Sequence, residues 1–221
     1  MRTDITQLIN YLRLLGTPEA FGNLILQGDS CCRRLTPDKR RALLGAALTD
    51  GNELAKLASA RWGRDPKPMA NTLGLTVEIV AGSSDYGTNI VFADYWNKLK
   101  TIRLYRPAIA HMNLALADPA WANWLGIADV SPVFIAHEIY HHLDVNRGKN
   151  QLVRRHPVSQ IKVGRWQWDR HVRVLAEVAA GSFVRQLLNL EVHAKCLEFA
   201  ALYKANPQNA LQIAAGLASG D

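Results

Sequence analysis

The segment Ser-Pro-Val-Phe-Ile-Ala-His-Glu-Ile-Tyr-His-His, residues 131–142, constrains the fold more than any other stretch of the chain. It places His137 and His141 four residues apart inside an apolar run. Residues at that spacing stack on one face of a helix, one turn apart. Ser131 offers a hydroxyl N-cap and Pro132 suits the first helical position. The spacing therefore predicts a helix to about Asn146, with Gly148 as its stop. Two imidazoles so arranged can both reach one zinc ion at ~2.0–2.1 Å. Glu138, rotated by about 100° from His137 on such a helix, stands beside the ion without binding it. This is the logic of HExxH, two neutral ligands and a carboxylate placed to take a proton. With seven histidines and seven glutamates in 221 residues, chance produces the motif in fewer than about one such chain in a hundred.

A catalytic zinc site takes three protein ligands and keeps one position open. Downstream, Glu177 is the best third ligand. Its neighbours at helical spacing are Val174, Ala180, Gly181 and Val184, and a carboxylate on so small and apolar a face is costly unless a cation satisfies it. Small residues there also let the two helices approach closely. Glu191, His193 and His171 stand in reserve. His142 points about 100° away from His141 and reads as a non-ligand. Asp144, one turn after His141, could orient an imidazole or serve as a surface acid.

The rest of the chain reads as α+β, mostly helical, with a small antiparallel or mixed sheet before the HExxH helix. Leu8, Ile9, Leu12 and Leu15 form an apolar stripe. Pro37–Thr49 and Asn52–Arg61 read as two helices separated at Asp50-Gly51, which leaves a helix-turn-helix as a weaker alternative. A short helix over Pro68–Leu73 ends at Gly74. Thr76–Ala81 reads as a strand, and Ile90–Tyr95 with Thr101–Tyr105 as a hairpin. A short helix holds Trp121 and Trp124. Helical patterning returns over Arg170–Leu190 and Glu191–Tyr203, and again after Pro207. Residues 1–65 are expected to form a helical segment packing on a domain of residues 66–221, or to merge with it into a single domain.

Composition narrows the function classes. No stretch approaches the ~18 apolar residues needed to span a bilayer, and the N-terminus lacks the pattern of a signal peptide, which points to a cytoplasmic protein without a membrane partner. Cys31 and Cys32 are adjacent and Cys196 is alone, so neither a disulfide framework nor a cysteine zinc site is expected. The net charge of +7 is localised. Between Val145 and Ala176 lie Arg147, Lys149, Arg154, Arg155, Lys162, Arg165, Arg170 and Arg173, against Asp169 alone. This segment reads as a solvated basic loop, or as a patch for an acidic partner or a nucleic acid. Trp166 and Trp168 within it could stack on nucleobases or pack the loop against the body.

The span Ile-Ala-His-Glu-Ile-Tyr-His-His, followed by Glu-Val-Ala-Ala-Gly-Ser-Phe-Val at Glu177–Val184, resembles the ImmA/IrrE-type metallopeptidases, which are gluzincin-like. Their second helix reads approximately E-x-x-A-D/N-x-F-A, and Glu177, Ala180 and Phe183 fall in register with it. Met69–Val80 is similar to the family's lead-in helix and first strand, so the likeness covers roughly residues 52–190. It departs at Gly181, where the family has an acid or amide, and in the long basic gap between His141 and Glu177. The resemblance implies a zincin-like fold and one zinc ion per chain held by His137, His141 and Glu177. It implies that Glu138 takes a proton from an activated water and delivers it to the leaving amine of a protein or peptide substrate. His156, His171 and Tyr140 are the candidates for a second donor to the developing oxyanion. An extended substrate could add to an open sheet edge, with Thr101–Tyr105 the suggested strand.

Two other functions compete with peptide hydrolysis. One is a non-catalytic, metal-bearing regulatory protein that binds nucleic acid or an acidic partner through residues 145–176. The other is a closed structural zinc site, which needs a fourth ligand such as His171 or His193.

Overall fold

The structure, a computed structural model, describes residues 2–15, 17–82, 85–86, 89–163 and 166–219. In chain order the elements are α1 (Arg2–Leu15), α2 (Pro18–Gly28), α3 (Pro37–Trp62), α4 (Pro66–Thr72), β1 (Thr76–Val80), β2 (Asp85–Tyr86), β3 (Asn89–Ile90), β4 (Ala93–Trp96) and β5 (Thr101–Tyr105). There follow α5 (Arg106–Leu116), α6 (Pro119–Leu125), α7 (Ser131–Asn146), α8 (Leu152–Arg155), β6 (Val158–Val163), β7 (Trp166–Arg170), α9 (Val174–Leu188), α10 (Cys196–Ala205) and α11 (Pro207–Ser219). The architecture is α+β and mostly helical, with a small mixed sheet.

Proline and a capping side chain start many of these helices. The side chains of Thr17, Thr36, Asp65 and Asp118 each accept a backbone N–H in the first turn of α2, α3, α4 and α6, and a proline follows each cap. Such pairs satisfy orphan donors and preset φ at the first turn. At α7 the expected Ser131 hydroxyl cap is replaced. Ser131 is itself helical, and Asp129 Oδ1 accepts both its N–H (2.9 Å) and its hydroxyl (2.7 Å). The helix ends at Asn146, and Gly148 follows at φ +58°.

The expected break at Asp50-Gly51 does not exist: α3 runs unbroken from Pro37 to Trp62, which also removes the helix-turn-helix. Gly51 serves packing instead. A Cβ there would stand 2.1 Å from Ala179 O and 2.9 Å from Phe183 N, so α3 and α9 meet backbone to backbone. Ser182 on α9 completes the seam, its Oγ 2.9 Å from Asn52 Oδ1 and 3.0 Å from Leu48 O.

The three-stranded sheet has the order β1-β5-β4, with β5 parallel to β1 and antiparallel to β4. The hairpin read from the sequence is present. Its second strand, however, is the centre of the sheet: Thr101–Tyr105 pairs on both sides and cannot receive another strand. Among the described residues the open edges are β1 and β4. Tyr95 on β4 ties the sheet to α7, its hydroxyl 2.7 Å from His142 Nδ1.

The basic segment is not the expected loop. It contains α8 and an antiparallel hairpin of β6 and β7. Arg165 lies outside the described residues, as do the side chains of Lys162, Trp166 and Trp168, and with them the base-stacking expectation. Two of its arginines are committed to the body. Asp50 accepts both Nη atoms of Arg147 at 2.7 and 2.9 Å, the guanidinium of Arg155 and, at 2.9 Å, the hydroxyl of Tyr140. Lys149, Arg154, Arg170 and Arg173 remain exposed.

A continuous apolar core runs from Ile5 in α1 to Ala214 in α11, across the proposed boundary at residue 65. The three cysteines are buried in it, with no disulfide among the described residues. No helix among those residues is long and apolar enough to cross a membrane.

Candidate metal centre

Two helices build the site. On α7, Ile135, Ala136, Ile139 and Tyr140 are fully buried, which fixes the rotation of the helix. His137 and His141 are thereby turned toward α9, with side chains 27% and 21% exposed. On α9, Leu175, Val178, Ala179 and Ala180 are fully buried and turn Glu177 back toward α7.

The donor atoms converge. His137 Nε2 and His141 Nε2 are 3.1 Å apart. Glu177 Oε2 is 3.1 Å from the first and Oε1 is 3.4 Å from the second. Among the described residues, these three form the group whose ligand atoms all lie within 4.8 Å of one another. Donors at ~2.05 Å from a tetrahedral ion are about 3.3 Å apart, so the spacing fits zinc. The chemistry fits as well: two imidazoles and a carboxylate are a common zinc ligand set.

His137 and Glu177 shift each other's proton affinity. Burial by itself would lower the pKa of His137, but the hydrogen bond and charge of Glu177 outweigh burial and raise it to about 9. Burial would lift the Glu177 carboxyl, yet its bonds to the two imidazoles hold it well below the ordinary carboxylate range.

Glu138 is 7% exposed and outside the donor group, as its rotation on α7 requires. Burial lifts its carboxyl above the ordinary range against the pull of His137 and His141. It lines, with His137 and Glu177, a cleft of about 330 Å³. The remaining wall is largely apolar, with Ile25, Val91, Val133 and the stacked pair Phe92–Phe134, whose rings are 4.8 Å apart. Residues 91–93, leading into edge strand β4, form one side of it.

The other candidates lie elsewhere. Tyr140 is fully buried and its hydroxyl donates to Asp50 Oδ2, away from the cleft. His171 is exposed, with Nδ1 2.9 Å from Val153 O, and neither it nor His156 lines the cleft. Asp144 orients no imidazole. Its Oδ1 accepts the Leu152 N–H at 3.0 Å, pinning the turn after α7. His142 is buried against Tyr95, and burial lowers its pKa. His193 is outside the donor group but lines the cleft.

Gly181 explains where the resemblance departs. A Cβ at this position would stand 2.5 Å from His193 Nε2, so the space that an acid or amide side chain would need is filled by the His193 ring. From the sequence alone His193 is a reserve ligand. Gly181, one turn beyond Glu177, was the available signal.

Comparison of the chain with protein-family profiles, curated proteins and solved structures finds no match.

Proposed function

We propose that the protein is a zincin-like zinc metallopeptidase of the ImmA/IrrE type, cutting a specific protein or peptide substrate. One observation carries this reading: Nε2 of His137, Nε2 of His141 and the Glu177 carboxylate converge with separations of 3.1–3.4 Å, beside a buried carboxylate outside the set. His137, His141 and Glu177 would hold the ion. Zinc bound there would acidify a water molecule and polarise a carbonyl.

The chain's own groups supply the rest. Glu138 stands one residue from a ligand, in a buried wall, with its proton affinity raised by burial. Such a carboxylate accepts a proton from water and returns it to a leaving amine. The cleft's apolar wall excludes bulk water and receives a side chain next to the scissile bond. An extended peptide would add to β4, the sheet edge on the cleft side, rather than to β5.

The test is the Glu138→Gln variant with a mixture of fluorogenic peptides. The expected result is one zinc per chain in both proteins, cleavage by the parent and none by the variant. Cleavage that survives the substitution contradicts the reading.

A further inference from the structure

The exposed bases of residues 145–176 have neighbours from a distant part of the chain. The turn Cys32–Arg34 joins α2 to α3 and is held in place by two charged side chains. Asp29 Oδ1 accepts the Cys31 and Cys32 N–H groups at 2.7 and 3.1 Å. The Arg40 guanidinium donates to the carbonyls of Cys32 and Arg33 at 3.3 and 3.4 Å. Asp29 and Arg40 are thus committed to the turn itself, and Arg33 and Arg34 stand exposed on it. Helix α2 packs on both this turn and α9.

The end of β7 meets the same place. Burial, with the charge of Asp29, pushes the Cys32 thiol up to about 11, and the cations of Arg40 and Arg170 both pull it down. A charge acts on one atom with a strength that fades with distance, so Arg170 lies beside the turn. His171 Nδ1 is 2.9 Å from Val153 O, which draws α8 and its Arg154 to this edge. Arg173 is the N-cap residue of α9. Arg33, Arg34, Arg154, Arg170 and Arg173 are all exposed, and among the described residues none of them pairs with a carboxylate. Arg147 and Arg155, by contrast, are neutralised by Asp50.

The chemistry of this face selects its partner. Every large exposed apolar side chain among the described residues falls outside residues 29–41 and 147–173. A peripheral membrane site pairs its bases with apolar groups that enter the lipid, and a protein interface centres on an apolar or aromatic anchor. Nucleic acid asks for neither, because release of its condensed counterions drives binding to bases alone. Arginine forks also match phosphate oxygens two at a time.

We propose that Arg33, Arg34, Arg154, Arg170 and Arg173 form one surface that binds the phosphate backbone of nucleic acid without reading its sequence. The inference goes beyond peptide hydrolysis and does not depend on it, since none of these side chains belongs to the group of His137, His141 and Glu177.

The test is fluorescence anisotropy of a labelled DNA duplex of about 20 base pairs, and of a single strand of the same length, titrated with the full chain at several salt concentrations. Both probes present phosphates, and binding to either supports the face. For the duplex, the logarithm of the affinity should fall against that of the salt with a slope of about 4, as for five phosphates neutralised. The variant Arg33→Gln/Arg34→Gln/Arg170→Gln/Arg173→Gln should bind about 100-fold more weakly at low salt and keep a slope of about 1. Each half of it, Arg33→Gln/Arg34→Gln or Arg170→Gln/Arg173→Gln, should lose about 10-fold. A control removes the same charge elsewhere: Arg61→Gln/Arg64→Gln/Lys67→Gln/Lys98→Gln, all at exposed positions. Arg61 is at the far end of α3, a helix of 26 residues and so about 39 Å long. This control should stay within about 3-fold of the parent. A parent that binds neither probe overturns the proposal. So does a control as weak as the four-site variant, or an Arg33/Arg34 pair without effect. Polyglutamate of equal length bound as tightly as the DNA overturns it in favour of an acidic protein. Circular dichroism identifies any variant that has not folded, and the pair variants then carry the test.

Discussion

Two sides of α9 are built for opposite purposes. Toward α3, Gly51 brings backbone against Ala179 O and Phe183 N, and Ser182 reaches Asn52 and Leu48. Polar atoms there find protein partners and the seam is closed. Toward α7 and the cleft, Glu177 faces two imidazoles whose nitrogens are 3.1 Å apart, and Gly181 makes room for a ring with an unpaired donor. A glycine serves both sides, but one lets backbone meet backbone and the other admits the His193 ring. The difference separates what holds the fold from what the fold holds ready.

Substitutions should divide along the same line. The largest effect is expected at Asp50, which anchors Arg147, Arg155 and Tyr140 beside the closed seam. Asp50→Ala leaves those groups without their acceptor and should cost about 4 kcal/mol, read as a lower denaturant midpoint. Gly51→Ala should follow, at about 3 kcal/mol from forcing α3 and α9 apart, or roughly 9 °C in Tm. A Gly51→Ala protein as stable as the parent would break the comparison.

Burial holds His193 neutral down to about 4, against an ordinary value of 6.5. Between those values the unfolded chain binds a proton that the folded chain refuses. Stability of the zinc-free protein should therefore fall as pH drops from 6.5 to 4, by up to about 3 kcal/mol from this group, and His193→Phe should flatten that slope. On the same open side, His137 is protonated up to about pH 9 in the zinc-free state. Zinc uptake at pH 7.5 should release about one proton, measured by calorimetry in buffers of different ionisation enthalpy. The smallest effect on folding is expected at Glu177, whose side chain is half exposed. In chelator, Glu177→Gln should lower stability by about 1 kcal/mol through the lost pairing with His137, which solvent at the half-exposed carboxylate screens.

The open side was largely legible in the sequence. HExxH spacing is local, so helical period alone puts His137 and His141 on one face. Glu177 stood out as a charge among Val174, Ala180, Gly181 and Val184. The closed side was misread, because Asp50-Gly51 is also the commonest kind of turn signal, and only the presence of α9 shows why a glycine is needed there. The partners of Asp50 lie 90 to 105 residues away, beyond any local pattern. His193 acquires its place from the loop between α9 and α10, which no periodicity describes. The β6–β7 hairpin was readable in principle, since Ile161 and Val163 alternate with Lys162, and Trp166 and Trp168 with Gln167, on either side of Gly164. The edge of the sheet was misassigned because strand order, unlike strand position, depends on the parallel crossover from β1 to β5.

The most direct measurement is X-ray absorption at the zinc edge on the folded, zinc-loaded chain, comparing the parent with His141→Ala, Glu177→Gln and Glu138→Gln. The expected result is one tightly held zinc with two imidazole nitrogens and carboxylate oxygen in the parent, an unchanged shell in Glu138→Gln, and loss of the ion or of a ligand in the other two. A folded parent that takes up no zinc, or a shell that ignores residues 141 and 177, contradicts it.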